Sequence, residues 1–290
     1  MGEFNQLYNQ LLSAFEVKEI TIPTSGVKFF KKGDTVPEEV LENASSEVTL
    51  TSCQATRSAS LEDAVYLTIH NIGCIAAAIS LGLVDQNQKE PLEGPRVYTN
   101  IMKEQSILDK HKFKPPSPHE FTEGIVYSCQ NSGHSEYALF GKEDVGRFRS
   151  VEIAKNAVSD MIAIQPAIMQ GVFFFSPTLE NINLVPDVVI LSVRPVELAR
   201  LVQAYSWYTG KRINSSMGAV RVVNSDLIVR PYLTNEINVS TYCVGARLIA
   251  QYEADRLGIA FPYNLFKDIV EYMELSRKGY PFPNYPGATS

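Results

Sequence analysis

The sequence predicts an α/β or α+β fold, a mixed sheet with flanking helices, interrupted by one long inserted excursion. Three observations lead there. Short, wholly apolar runs such as "GVFFFSP" and "DVVILSV" have the length and the β-branched or aromatic content of buried strands. They alternate with runs of helical period such as "VEIAKNAVSDMIA" and "PVELARLVQAYSWYTG". Residues 85–149 break this alternation with "DQNQKEPLEGPR" and "KHKFKPPSPHEFTEG", segments rich in proline, glycine and charge.

Taken in order, residues 4–16 read as a helix with Leu7, Leu11, Leu12 and Phe15 on one face. "EITIPTSGVKFF" reads as a hairpin broken by the turn signal Pro-Thr-Ser-Gly, with "VKFFKK" (27–32) as a solvated strand end. "TVPEEVLENA" suits a short helix with Pro37 in its first turn and Thr35 as cap. "EVTLTSCQA" alternates like a strand entering Cys53, and "DAVYLTIHN" reads as a strand entering Cys74, which heads the small-residue helix "CIAAAISLGL". A short helical piece (about 98–110) lies within the excursion. After it, the helix over "PVELARLVQAYSWYTG" is expected to stop at Gly210. "AVRVVNSDLIVRPYL" looks strand-like, Cys243 opens a further helix, "LGIAFP" is a last strand and "YNLFKDIVEYMELSRKG" a closing helix. Residues 1–84 and 150–290 then form one core, as a single body or as two intimate lobes, and 85–149 an inserted lid or oligomerisation arm, since so long a connection is unusual in a passive link.

Composition narrows the function classes. The 290 residues are 45% hydrophobic and 20% charged, an ordinary balance for a globular protein with a substantial core. A net charge of −6 argues against nucleic acid as a partner. No apolar run approaches the roughly 20 residues that span a bilayer, and the N-terminus lacks a secretory layout. The expected address is cytoplasmic. Many tyrosines and a long arm suit a homo-oligomer. There is no G-x-G-x-x-G, no G-x-S-x-G and no H-E-x-x-H, and "GKEDVGRF" carries Arg147 where a phosphate loop needs lysine.

Four cysteines in 290 residues do not make a disulfide scaffold, so metal binding or redox chemistry comes forward. Cys74 and Cys243 stand at the heads of helical runs, where the helix dipole and unpaired amides favour thiolate. Gly73 and Gly245 would let the backbone approach a bulky group closely. The spacing of Cys53, Cys74 and Cys243 matches no compact ligand motif, and cysteines are also simply among the most buried residue types. His70, four residues before Cys74, is either an acid/base or a structural residue at a strand end. "YSCQNSGHSEY" gathers Cys129, His134 and Glu136 without a nameable third group. Arg194, at a strand end before a helix, would clamp a carboxylate or phosphate or form an ordinary ion pair, and Arg247, one turn beyond Cys243, would balance the negative charge of clustered thiolates or hold an anionic substrate. Arg57 repeats that four-residue offset after Cys53.

The motifs "VKFFKKGDTVPE", "CQA" at Cys53 and "IGCIAAAISLGLV" are followed by "PDVVILSVRPVELARLVQAYSWYTGKRI", "NEINVSTYCVGAR" and "LGIAFPYNLFKDIVE". In this order the chain resembles the domain-of-unknown-function 169 (ArCR) family over about 18–84 and 150–272. The resemblance implies cysteines at the positions of Cys53, Cys74 and Cys243, in a family found largely in archaea and anaerobic bacteria. Three thiolates from distant loops suit a 4Fe-4S cluster with one open iron. Such a cluster points to an enzyme acting on a small anionic substrate by dehydration, desulfuration or reduction. Cys129 as a fourth ligand would close the cluster and favour a redox-sensing or binding module instead. Zinc ligation and metal-free thiols are the remaining alternatives.

Overall fold

The computed structural model describes residues 2–15, 21–45, 48–105, 114–128 and 147–279. Its centre is a six-stranded sheet in the order β2-β3-β1-β4-β6-β5. The strands are β1 (Thr24–Lys31), β2 (Ala64–Thr68), β3 (Met169–Phe175), β4 (Val188–Val193), β5 (Asn238–Ser240) and β6 (Leu257–Pro262). Every pairing within the sheet is antiparallel, so the expected helix-flanked sheet is present with strands of alternating rather than mixed direction. The strands read as near-continuous apolar runs because helices cover both faces.

Alternate residues divide the core in two, as the period of a strand requires. Val65, Leu67, Val172, Phe174, Val188, Ile190 and Ala260 face one cluster. Phe173, Phe175, Val189, Leu191, Ile259 and Phe261 face the other. The second face is covered by α1 (Glu3–Ala14), α9 (Pro195–Thr209) and α12 (Tyr263–Leu275), which supply Phe4, Leu11, Leu201, Phe266 and Met273. α9 ends as expected at Gly210, whose φ of 65° is the left-handed cap that glycine takes without strain. α2 (Glu38–Asn43) adds Val40 to the same side, with Pro37 just ahead of its first turn.

The first face carries α3 (Ser52–Ala59), α4 (Ile75–Ser80), α5 (Glu93–Glu104), α6 (Pro118–Thr122), α7 (Ile125–Ser128), α8 (Val151–Ser159), a π-helix (Val223–Val229), α10 (Arg230–Thr234) and α11 (Val244–Ile249). Cys53, Cys74 and Cys243 all pack against this face.

Three local expectations are corrected. Among the described residues the turn expected at Pro-Thr-Ser-Gly is absent. β1 runs straight through Thr24, Ser25 and Gly26, because Gly26 lies under Phe4 and Phe175 and a Cβ there would come within 2.8 Å of the Phe4 ring. "VKFFKK" is therefore part of a central strand; Lys28 pairs with Asp187 at 2.8 Å and only its end is exposed. The strand entering Cys53 shrinks to one parallel bridge, Leu50 to Ile72, and Cys53 stands in the first turn of α3. "AVRVVNSDLIVRPYL" holds the π-helix and α10, not a strand. Buried on all sides, that run has no polar stripe to reveal its period.

No helix among the described residues is long and apolar enough to cross a membrane. Gly94 brings α5 so close to the loop before Cys74 that a Cβ would lie 2.4 Å from the Ile72 carbonyl oxygen. Because the obstacle is backbone, Gly94→Ala is expected to lower stability by about 1–3 kcal/mol despite alanine's better helix propensity. A urea-unfolding midpoint measures it; an unchanged midpoint would contradict this packing.

Candidate functional site

The site begins at the Leu50–Ile72 bridge. Gly73 N–H donates to the Leu50 carbonyl at 2.8 Å, and Leu50 N–H to the Asn71 carbonyl at 3.2 Å. Since this pairing is parallel, both segments leave it in the same direction, one into α3 and Cys53, the other into Cys74 and α4. Thr51 caps α3 in a full capping box with Gln54, and the Ser52 hydroxyl hydrogen-bonds the Asn224 side chain of the π-helix. Cys74 is the N-cap residue of α4, as its sequence context predicts.

Cys243 arrives from the other end of the chain, as the N-cap residue of α11 after β5. The loop after α11 ties it to α3. Tyr252 stacks on Tyr242 with ring centroids 3.9 Å apart and donates to the Cys53 carbonyl at 3.4 Å. Arg57 pairs with Glu253 at 2.6 Å.

The three thiols are free, half-buried and electrostatically coupled. Burial pushes the Cys53 thiol well above the ordinary range, and the nearby Cys243 and then Cys74 push it further; the Ser52 hydroxyl and the backbone amide act against this more weakly. At Cys53, in the first turn of α3, removal from water is the largest of these effects. Tyr98 of α5 is raised by the same surroundings, by burial first and then by Cys74 and Cys53. Gly73 serves this packing: a Cβ there would meet the Tyr98 ring at 2.7 Å. Gly245 leaves space, with nothing nearer to a Cβ than Cys243 Sγ at 3.9 Å. Among the described residues no three His, Cys, Asp or Glu side chains are gathered closely enough to hold a single metal ion.

Beside Cys74 opens a cavity of about 120 Å³. The described part of the excursion forms much of its wall, through Tyr98, Met102, Phe121 and Tyr127. Arg221 lines it from the opposite end of the sequence. This arginine has a φ of 61°, a left-handed conformation costing on the order of 1 kcal/mol for a residue with a side chain.

The other expected residues lie elsewhere. Arg194 pairs with Asp255 at 3.4 Å on the exposed surface. Arg247 is one turn beyond Cys243, as expected, but donates to the carbonyls of Tyr242, Glu253 and Arg256, which fastens the loop. His70 is exposed in the turn after β2. None of the three lines the cavity. Cys129 and His134 fall outside the described residues. Sequence reasoning missed Arg221 and Tyr127. The available signal was a lone charge inside the apolar run "AVRVV".

The fold and site define a class: a helix-flanked antiparallel-sheet protein with three neighbouring thiols, one of which, Cys74, lines a cavity. The chain belongs to the DUF169 family, described as uncharacterised ArCR, whose model matches residues 24–272. Uncharacterized protein MJ0308 of Methanocaldococcus jannaschii is 22% identical over 279 residues, 95% of this chain and 97% of its own. No solved structure matches.

Protonation of Cys53 links the site to stability. An unfolded thiol ionises near pH 8.5, whereas the folded protein resists that ionisation. Its contribution is therefore complete below about pH 8.5 and fades as pH rises from there towards the raised folded value. Metal-free protein is expected to lose about 1 kcal/mol between pH 7 and pH 9.5 by urea unfolding, and Cys53→Ala to lose less; equal slopes would contradict the coupling.

Proposed function

We propose that this protein is an iron–sulfur protein in which Cys53, Cys74 and Cys243 hold a 4Fe-4S cluster, and that it acts as an enzyme on a small anionic substrate. The supporting observation is the convergence of three thiols from distant segments, close enough that Cys243 and Cys74 both raise Cys53. The fit is chemical as well as spatial. Thiolates are the usual cluster ligands, and a multi-iron cluster holds its ligands further apart than one ion does, which suits thiols that are coupled but not gathered around a point. The space left at Gly245 lies on the Cys243 side.

When bound, a cluster with one iron free of protein thiolate supplies a Lewis acid at that position. The chain's own part is to hold three thiol groups in place and to limit water. The parallel bridge positions Cys53 and Cys74, and the Arg247 and Arg57 contacts position Cys243. Loading takes the proton from Cys53, so binding is expected to weaken as pH falls. Tyr98 lines the cavity together with Cys74, and burial, then Cys74 and Cys53, hold its hydroxyl neutral. Dehydration, desulfuration and reduction are the reactions that an open iron beside a small cavity suits.

Anoxic purification, with iron, acid-labile sulfide and zinc measured together, tests the reading. The expected result is about four irons with matching sulfide, lost in Cys53→Ala, Cys74→Ala and Cys243→Ala and kept in Cys129→Ala. Loss in Cys129→Ala as well would indicate a closed cluster and a redox-sensing role. Zinc without sulfide, or metal-free protein that resists reconstitution, would overturn the proposal.

A further inference from the structure

The cavity beside Cys74 contains a charge that the thiols do not explain. Arg221 is only 7% exposed. Its Nε donates to the Tyr127 hydroxyl at 2.9 Å, and its Cζ lies 3.2 Å from the centroid of the Phe121 ring. Nη1 and Nη2 have no partner among the described residues, and no described carboxylate pairs with the side chain. A buried lysine in this position would shed its proton; a guanidinium stays charged. Buried charges in folded proteins are paired, because an unpaired one costs several kcal/mol.

Tyr127 adds a second donor. Its hydroxyl, 6% exposed at the residue level, accepts from Arg221, so its own proton has no acceptor among the described residues. Two NH2 groups and one O–H are thus available in a space whose remaining walls are largely apolar, with Ile75, Ala76, Met102 and Val126 among them.

We infer that this cavity is a binding site for a short-chain monocarboxylate, gripped by Arg221 and the Tyr127 hydroxyl with its hydrocarbon against Ile75, Met102 and Val126. The planar guanidinium fork matches a carboxylate. Among the described residues no second cation lines the cavity, and apolar walls penalise the extra charge of a phosphate. The volume of about 120 Å³ is a little under the roughly 150 Å³ that accommodates benzene in an engineered cavity, which limits the ligand to about four to six heavy atoms. This inference goes beyond the cluster reading and does not rest on it. Because Cys74 lines the same cavity, the carboxylate is also the class of substrate that would be presented to the thiols.

The probe is butanoate, titrated into the full chain by calorimetry and by thermal unfolding, both as isolated under anoxia and after metal removal. Butanoate at about 10 mM is expected to raise Tm by several degrees, whereas butanamide and inorganic phosphate leave it unchanged. Arg221→Met, which keeps the length of the side chain without its charge, is expected to lose the shift. Tyr127→Phe is expected to bind butanoate about tenfold more weakly, and it keeps the test decisive if Arg221→Met does not fold. Wild-type protein unmoved by butanoate, an equal response to butanamide or phosphate, or unaltered affinity in Tyr127→Phe would overturn the inference. Iron measured on the same samples separates the two readings. Iron-free protein that binds butanoate retains this site and removes the cluster, whereas iron-loaded protein indifferent to butanoate does the reverse.

Discussion

Leu50 and Ile72 meet in a parallel bridge, and the geometry of the site depends on that contact. Two antiparallel segments would have sent Cys53 and Cys74 to opposite ends of their pairing. The parallel arrangement sends both onward in the same direction, one into α3 and the other into α4. Asn71 makes the turn possible: its side chain accepts from the Thr68 amide at 2.7 Å and donates to the Tyr66 carbonyl at 2.9 Å, bending the chain out of β2 and back to the bridge. The neighbouring contacts follow. Gly73 must lack a side chain because Tyr98 occupies its face, and Gly94 because α5 rests on the Ile72 carbonyl. One short pairing thus sets the thiols, the cavity wall and the approach of the excursion at once.

Two kinds of buried charge are handled differently here. A thiol has a neutral form, so Cys53 accommodates burial and its sulfur neighbours by keeping its proton. Arg221 has no such escape, and its guanidinium settles for an aromatic face and a phenol oxygen. Stacking on Phe121 and a single neutral hydrogen bond recover part of the solvation lost on burial but do not neutralise the charge. The protein tolerates this beside a left-handed backbone at the same residue, directly before a π-helix. Irregular backbone and incompletely satisfied charge occurring together are more often features of ligand sites than of cores selected for stability alone.

Much of the frame was legible in the sequence. β3, β4 and β6 are contiguous apolar runs bounded by turn residues, and α9 announces its own end at Gly210. Cys74 and Cys243 do head helices, as the small apolar residues after each indicate. What failed to show was decided by tertiary contact. Pro-Thr-Ser-Gly looks like a turn until Phe4 and Phe175 cover Gly26 and hold β1 extended. β5 is three residues long, too short for any pattern. Residues 220–229 are buried throughout, Asn224, Ser225 and Asp226 included, so no exposed polar stripe separates strand from helix by period. Arg194 and Arg247 stood in positions that favour anions by local rule, yet Asp255 and three backbone carbonyls take them up.

Sequence distance explains why the cavity itself was invisible. Its lining comes from Thr51 ahead of α3, from the start of α4 and the loop before it, from α5 to α7, from Arg221 just before the π-helix and from Ile249 of α11. Nothing in any one segment hints at the others. The strand order β2-β3-β1-β4-β6-β5 interleaves early and late parts of the chain, so that elements following β2 and elements preceding β5 cover the same face. An arginine among valines then has two readings, an outward-facing residue on a strand or a charge enclosed with nothing to neutralise it. Only the topology decides between them. Here it encloses the guanidinium beside a thiol-lined loop, and the absence of an acidic partner among the described residues becomes the most informative property of that side chain.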